Sequence, residues 1–329
     1  MTAVRRSGRL ALALWCAGVL LSALAGWQVQ QTNQRLLQER TQAAADELIR
    51  HIEERFKLYE HALRGARGAV AVSGGSAVTR AQFMAYVSSR DAMQEFAGAR
   101  GLGFIRRVAR SDEARFLAEA RAQDPAGFNI REIAPHTQDR LVIQHVYPED
   151  PNDGAVGLDI ASEARRRDAA LSAAREGRAH LSAPVNLVQA SQPASRGFLL
   201  LLPVYPDNRL HPSPPVREAA ALGWTYMPLL ANEVLADLGP RLREVGVSLN
   251  DGTDPQPFFE SQPGLQSDTV ITRSLDVQGR QWVMRAQALP AMGAAAGLAS
   301  PARTVLAGVV LSSVLAAGLM LLQRRQRQR

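Results

Sequence analysis

The chain has 329 residues, 46% of them hydrophobic, with one cysteine, a formal charge of +7 and a sequence pI near 10.4. Such a length supports a sizeable core, and a single cysteine excludes an internal disulfide framework. The basicity points to nucleic acid only at first sight: seven of the 38 basic residues are arginines at the two ends, and the 31 that remain face 31 acidic residues, so the interior is neutral and nucleic-acid binding is excluded.

In chain order, residues 1–9 form a basic tail carrying Arg5, Arg6 and Arg9. Residues 10–29 carry no charge and, at helical rise, cover about 30 Å, the hydrocarbon thickness of a bilayer. Residues 305–322 form a second apolar span, followed by a tail (323–329) with Arg324, Arg325, Arg327 and Arg329. Arginine on the outer flank of both spans predicts that both ends are cytoplasmic and that the region between them is exported. Ala23-Leu24-Ala25 also fits a signal-peptidase site; cleavage there would leave the domain exported and held by the second span alone. Cys16 reads as a thiol buried in the membrane.

Residues 30–72 predict a long stalk helix. The stripe Leu48, Ile52, Phe56, Tyr59, Leu63, Ala66, Val70 advances by three or four residues, the spacing of one helical face. It serves either as the seam of a parallel two-chain coiled coil or as the surface on which the chain's own domain packs.

A first α+β unit is predicted over 73–205. Thr79 and Gln82 form a capping box for a helix with Phe83 and Tyr86. Strands are expected at 101–108, 128–133, 141–147, 156–160, 185–189 and 197–205. Helices are expected after Ser111, ending at Asp124-Pro125, and after Ser162, stopped by Gly177. The proline-rich stretch 206–222 reads as a connector. A second, smaller unit over 223–290 opens with a strand at 224–228 and a helix at 232–238. It continues with strands at 245–249 and 257–260 and closes with a hairpin, 269–277 and 280–289, around Gln278-Gly279. Residues 291–304 link it to the second span.

Catalytic signatures do not occur: the six histidines show no HExxH spacing, and there is no CxxC, Walker loop, GxGxxG or GxSxG. The expectation is a protein that is not an enzyme and needs no metal or cofactor.

The segments "GLGFIRRVARSDEARFLAEAR", "VGLDIASEARRRDAALSAAREGRAHLSAPVNLVQ" and "GFLLLLPVY" resemble the CHASE domain, the extracytoplasmic sensory module of bacterial receptors and plant cytokinin receptors. The resemblance runs from about Phe56 to Pro290. It implies a long stalk helix with two PAS-like units, the membrane-distal one binding small ligands. By the same resemblance Asp159, in the Leu-Asp motif, matches the aspartate that hydrogen-bonds the ligand, and Leu181 matches a pocket leucine. Leu201 stands where the family's plant members carry a threonine, which argues against cytokinin itself. Read from the residues alone, Asp159 is equally placed to cap the helix that follows it. The expected pocket has Asp159 at its edge, Leu181, Leu199 and Leu201 as its lining, and Tyr147 and Phe104 nearby.

The family continues past its second span into a histidine kinase, diguanylate cyclase or adenylyl cyclase, and the sequence here contains no such segment. The chain is therefore expected to be the sensor part of a longer receptor, or to act through a separate cytoplasmic output protein. A non-enzymatic membrane subunit with a vestigial pocket is the other reading. Gly18, Ser22, Gly26 and Gly308, Ser312, Ala316 have the small-x3-small spacing of close helix contacts, from which a parallel homodimer is expected.

Overall fold

The computed structural model describes residues 2–90, 95–123, 127–150, 152–187, 196–206, 213–236, 241–252 and 254–326. The helix stop expected at 124–125, the strand end at 188–189, residues 207–212 of the connector, the helix end at Leu238 and the last three residues lie outside the described residues.

One helix, α1 (Thr2–Val72), runs through the first apolar segment and the stalk without interruption. Its 71 residues reach about 106 Å. All seven stripe residues, Leu48 to Val70, are buried on the chain's own sheets, so the stripe is a docking face for the domain. After a turn at Gly74, α2 (Arg80–Ser88) begins with the capping box, Gln82 N–H donating to Thr79 Oγ1 and Thr79 N–H to Gln82 Oε1.

The first unit then contains β1 (Leu102–Val108), α3 (Glu113–Gln123), β2 (Arg140–Tyr147), α4 (Ala164–Glu176), β3 (His180–Leu181), β4 (Val185–Asn186), β5 (Arg196–Val204), α5 (Pro214–Ala220) and β6 (Gly223–Leu230). The strands form one antiparallel sheet in the order β2-β1-β6-β5-β3, with β4 also paired to β5. Side chains alternate across it. Phe104, Phe198, Leu200, Leu202 and Met227 face α1, while Leu199, Leu201, Trp224 and Tyr226 face the alanines of α4.

Three expectations change here. The strand expected to open the second unit is β6, which inserts between β1 and β5 at the centre of the first sheet. Its register with β5 runs the full eight residues, Gly197↔Leu230 to Val204↔Gly223, and this long pairing outweighs its position after the connector. The strands expected at 128–133 and 156–160 are reduced to single bridges, Arg131↔Leu158 and Val142↔Asp159. Ser162 does not cap α4; Glu163 does, accepting from Arg165 N–H and Arg166 N–H.

The second unit holds α6 (Ala231–Val234) and β7 (Val245–Asp251), β8 (Phe259–Glu260), β9 (Val270–Val277) and β10 (Arg280–Ala288), an antiparallel sheet in the order β8-β7-β10-β9. The β9–β10 turn has φ +50° at Gln278 and +79° at Gly279, the two left-handed residues of a type I′ hairpin. Two joints fasten this sheet to the first unit. Rings of Phe56 on α1, Phe198 on β5, Phe258 and Trp282 contact one another with centroids 4.7–5.6 Å apart. Leu181 N–H donates to Gln278 O at 2.9 Å, and Gln278 Nε2 donates to Glu60 on α1 at 3.2 Å.

A short helix, α7 (Pro290–Ala295), precedes α8 (Pro301–Gln326). α1 and α8 are both long and apolar enough to cross a membrane. They pack antiparallel: a Cβ on Gly18 would stand 2.2 Å from Ser312 Oγ, and one on Gly308 would stand 2.1 Å from Ser22 Oγ. The small-residue faces from which a homodimer was expected are therefore spent on each other within one chain. That register also brings Arg9 to the same end as Arg324 and Arg325.

Candidate functional site

The six residues expected to share a pocket do not meet. Phe104 and Leu181 are buried on the α1 side of the first sheet, and Tyr147 is half-buried at the edge of that same core. Leu199 and Leu201 lie on the opposite side, filled by α4. Alternation along β5 does put the odd-numbered leucines on one face, as expected, but that face meets Ala169, Ala170, Ala173 and Ala174.

Asp159 is fully buried. Its Oδ1 accepts from Leu141 N–H at 2.9 Å and Ala161 N–H at 3.0 Å; its Oδ2 accepts from His136 Nε2 at 2.8 Å and Arg140 at 3.3 Å. A carboxylate offers about four acceptor positions, and all four are used. Asp159 thus pins the 131–140 segment, the start of β2 and the turn before α4 to one another, and has no position left for a ligand. Around it, Arg140 also bonds Glu113 at 3.0 Å and contacts Glu132. Glu132, His136 and Asp159 hold donor atoms within 4.8 Å of one another, an arrangement able in principle to hold a cation. The Arg140 guanidinium, set against two of the three, already supplies positive charge there. Sequence reasoning missed His136 and Arg140, because the segment that carries them has no periodic pattern.

A cavity of 320 Å³ opens elsewhere in the first unit, against the outer edge of β2. Met84, Ala120, Phe128, Val146 and Val156 give it apolar walls. Arg80, paired with Glu149 through Nε at 2.8 Å, stands beside it, with Gln123 and Asp153. β2 supplies Gln144 and His145 from a bulge: Phe104 pairs with His145 and Ile105 with Ile143, leaving Gln144 without a partner on β1. A bulge turns neighbouring side chains away from strict alternation, and here three consecutive residues, Gln144, His145 and Val146, line the same cavity.

His145 is buried against Phe83, with ring centroids 5.6 Å apart. Burial outweighs its bond to the Val78 carbonyl and lowers its pKa to about 4, so the ring is neutral at pH 7. At 3.2 Å from Val78 O, an atom that only accepts, Nε2 carries the proton. Nδ1 is then a lone-pair acceptor, and it has no partner; neither has Gln144 Oε1. The sequence signal available for this site was the sequence Gln-His within an otherwise apolar edge strand, "LVIQHVY".

No curated protein matches the chain. Among solved structures it is similar to an extracellular ligand binding receptor from Desulfohalobium retbaense DSM5692, with 11% identity, TM-score 0.46 and coverage of 75% of this chain. The chain spans 40% of the length of that receptor. It is similar also to a structure named methyl-accepting chemotaxis protein X (11% identity, TM-score 0.46, 77% of this chain and 97% of the other). A third is the Vibrio cholerae LuxQ periplasmic domain (11% identity, TM-score 0.34, 78% and 97%). The sequence profile of the CHASE domain matches residues 76–258, more than half of the chain and all of the first unit from α2 onward, so the chain belongs to the CHASE-domain family.

Proposed function

We propose that this chain is a transmembrane sensor: its two-unit domain lies outside the cytoplasm between α1 and α8, takes a small molecule in the distal unit, and passes the change to the membrane. The observation that carries this reading is the β2 cavity, which lies within the segment matched to a sensory family and has the size of a small-ligand site. The role is sensing rather than catalysis. A ligand acts by favouring one arrangement of the cavity walls through its differential affinity. α2 forms one of those walls and follows directly on α1, and α1 continues to the membrane end of the chain, so a displacement there has a continuous helical path.

The test uses the full chain in lipid nanodiscs, with thermal stability as the readout, against fractions of low-molecular-weight metabolites. A fraction should raise the melting temperature of the wild type and leave Ala120→Trp, whose indole fills the cavity, unchanged. Stabilisation that persists in Ala120→Trp would place the ligand elsewhere and reject the reading.

A further inference from the structure

We infer that the β2 cavity takes a ligand that presents N–H or O–H donors and is neutral or cationic, because the unsatisfied polar atoms of its wall are both acceptors and its charged lining is net negative. This inference rests on the reading of the cavity as the sensory site and specifies its chemistry.

Three observations lead to it. First, the orphan atoms in the wall, Gln144 Oε1 and His145 Nδ1, are both lone-pair acceptors in the arrangement found. An acceptor buried without a partner has already lost its water, so a donor supplied later regains a full hydrogen bond without that desolvation cost. The neutral imidazole keeps Nδ1 an acceptor at pH 7. Second, the charges around the cavity are Arg80, Glu149 and Asp153. Arg80 is engaged by Glu149, while Asp153 has no ion-pair partner among the described residues. An anionic ligand meets an unopposed carboxylate; a cation meets a partner. Third, the remaining walls, Met84, Phe128, Val146 and Val156, suit an apolar body such as a ring. Neither orphan atom reaches the cavity surface, so meeting a ligand requires the wall at the β2 bulge to move. Capture and movement are then one event, which is what a sensor requires.

The experiment compares three probes with the same ring and different polar ends, phenethylamine, 2-phenylethanol and phenylacetate, by calorimetric titration of the full chain in nanodiscs. The amine and the alcohol should bind about tenfold more tightly than the carboxylate, the difference of roughly one hydrogen bond. Gln144→Leu should reduce that preference, with His145 Nδ1 and Asp153 still in place, while melting no lower than wild type, since it removes an unsatisfied buried atom. Phenylacetate binding as well as the others, a preference undiminished in Gln144→Leu, or no probe binding overturns the inference. Ala120→Trp, with Val156→Phe as a second cavity-filling variant, separates the two levels. If phenylacetate binds best and both variants expel it, the ligand class is wrong and the cavity is still the site. If the variants affect no probe, the cavity reading falls as well.

Discussion

Asp159 shows how a residue can matter for a reason other than the one its motif suggests. The Leu-Asp motif and the helix after it made the position legible in the sequence as either a ligand contact or a cap. Its role as a junction was not legible, because His136 and Arg140 reach it from a segment without helix or strand periodicity. Asp159→Ala leaves two backbone N–H groups and His136 Nε2 without their acceptor inside the protein and strips Arg140 of one of its three carboxylate partners. Removing one member of a buried charged network typically costs about 3–5 kcal/mol, and denaturant unfolding should report a loss in that range. A loss below about 1 kcal/mol, the ordinary effect of a missing cap, would contradict the junction. His145 provides a second test at this scale. Its folded-state pKa of about 4 lies below the ordinary 6.5, so between these values the unfolded chain binds the extra proton. Stability should be full above pH 6.5 and fall as the pH drops towards 4, by up to roughly 3 kcal/mol from this group. His145→Phe should flatten that part of the stability profile; an unchanged slope would show that the ring is not held neutral.

At the scale of elements, patterns confined to one segment were readable and pairings between distant segments were not. The stalk stripe, the Thr79–Gln82 capping box and the β9–β10 hairpin each depend on residues a few positions apart, and each stands in the structure as expected. β6 was readable as a strand, but nothing in its own residues says that it inserts between β1 and β5. The small-residue faces of the two apolar helices were legible as contact surfaces, while their partner, the other helix of the same chain, was not. The β9–β10 turn carries a further constraint, since its tip presses on the first unit at β3. A Cβ on Gly279 would lie 2.4 Å from the His180 ring, in a backbone conformation with φ +79° that side chains rarely adopt. Gly279→Ala should therefore destabilise the protein by about 1–3 kcal/mol. In a double-mutant cycle His180→Ala should restore part of it, relieving the collision but not the backbone strain. No coupling between the two positions would mean that the turn does not bear on β3.

At the scale of the whole molecule, α1 packs against both sheets along its stripe and against α8 along its apolar half. The first unit and the helix pair at the other end are joined by this rod and by the turn that ties the second sheet to β3. Everything proposed about signalling depends on the domain lying across the membrane from the two arginine-rich ends. The direct measurement is a pair of reporter fusions in cells, one after Ala220 and one after Gln326, read with an enzyme active only outside the cytoplasm and a fluorescent protein active only within it. The account predicts an exported reporter at Ala220 and a cytoplasmic one at Gln326; a cytoplasmic reporter at Ala220 would contradict it.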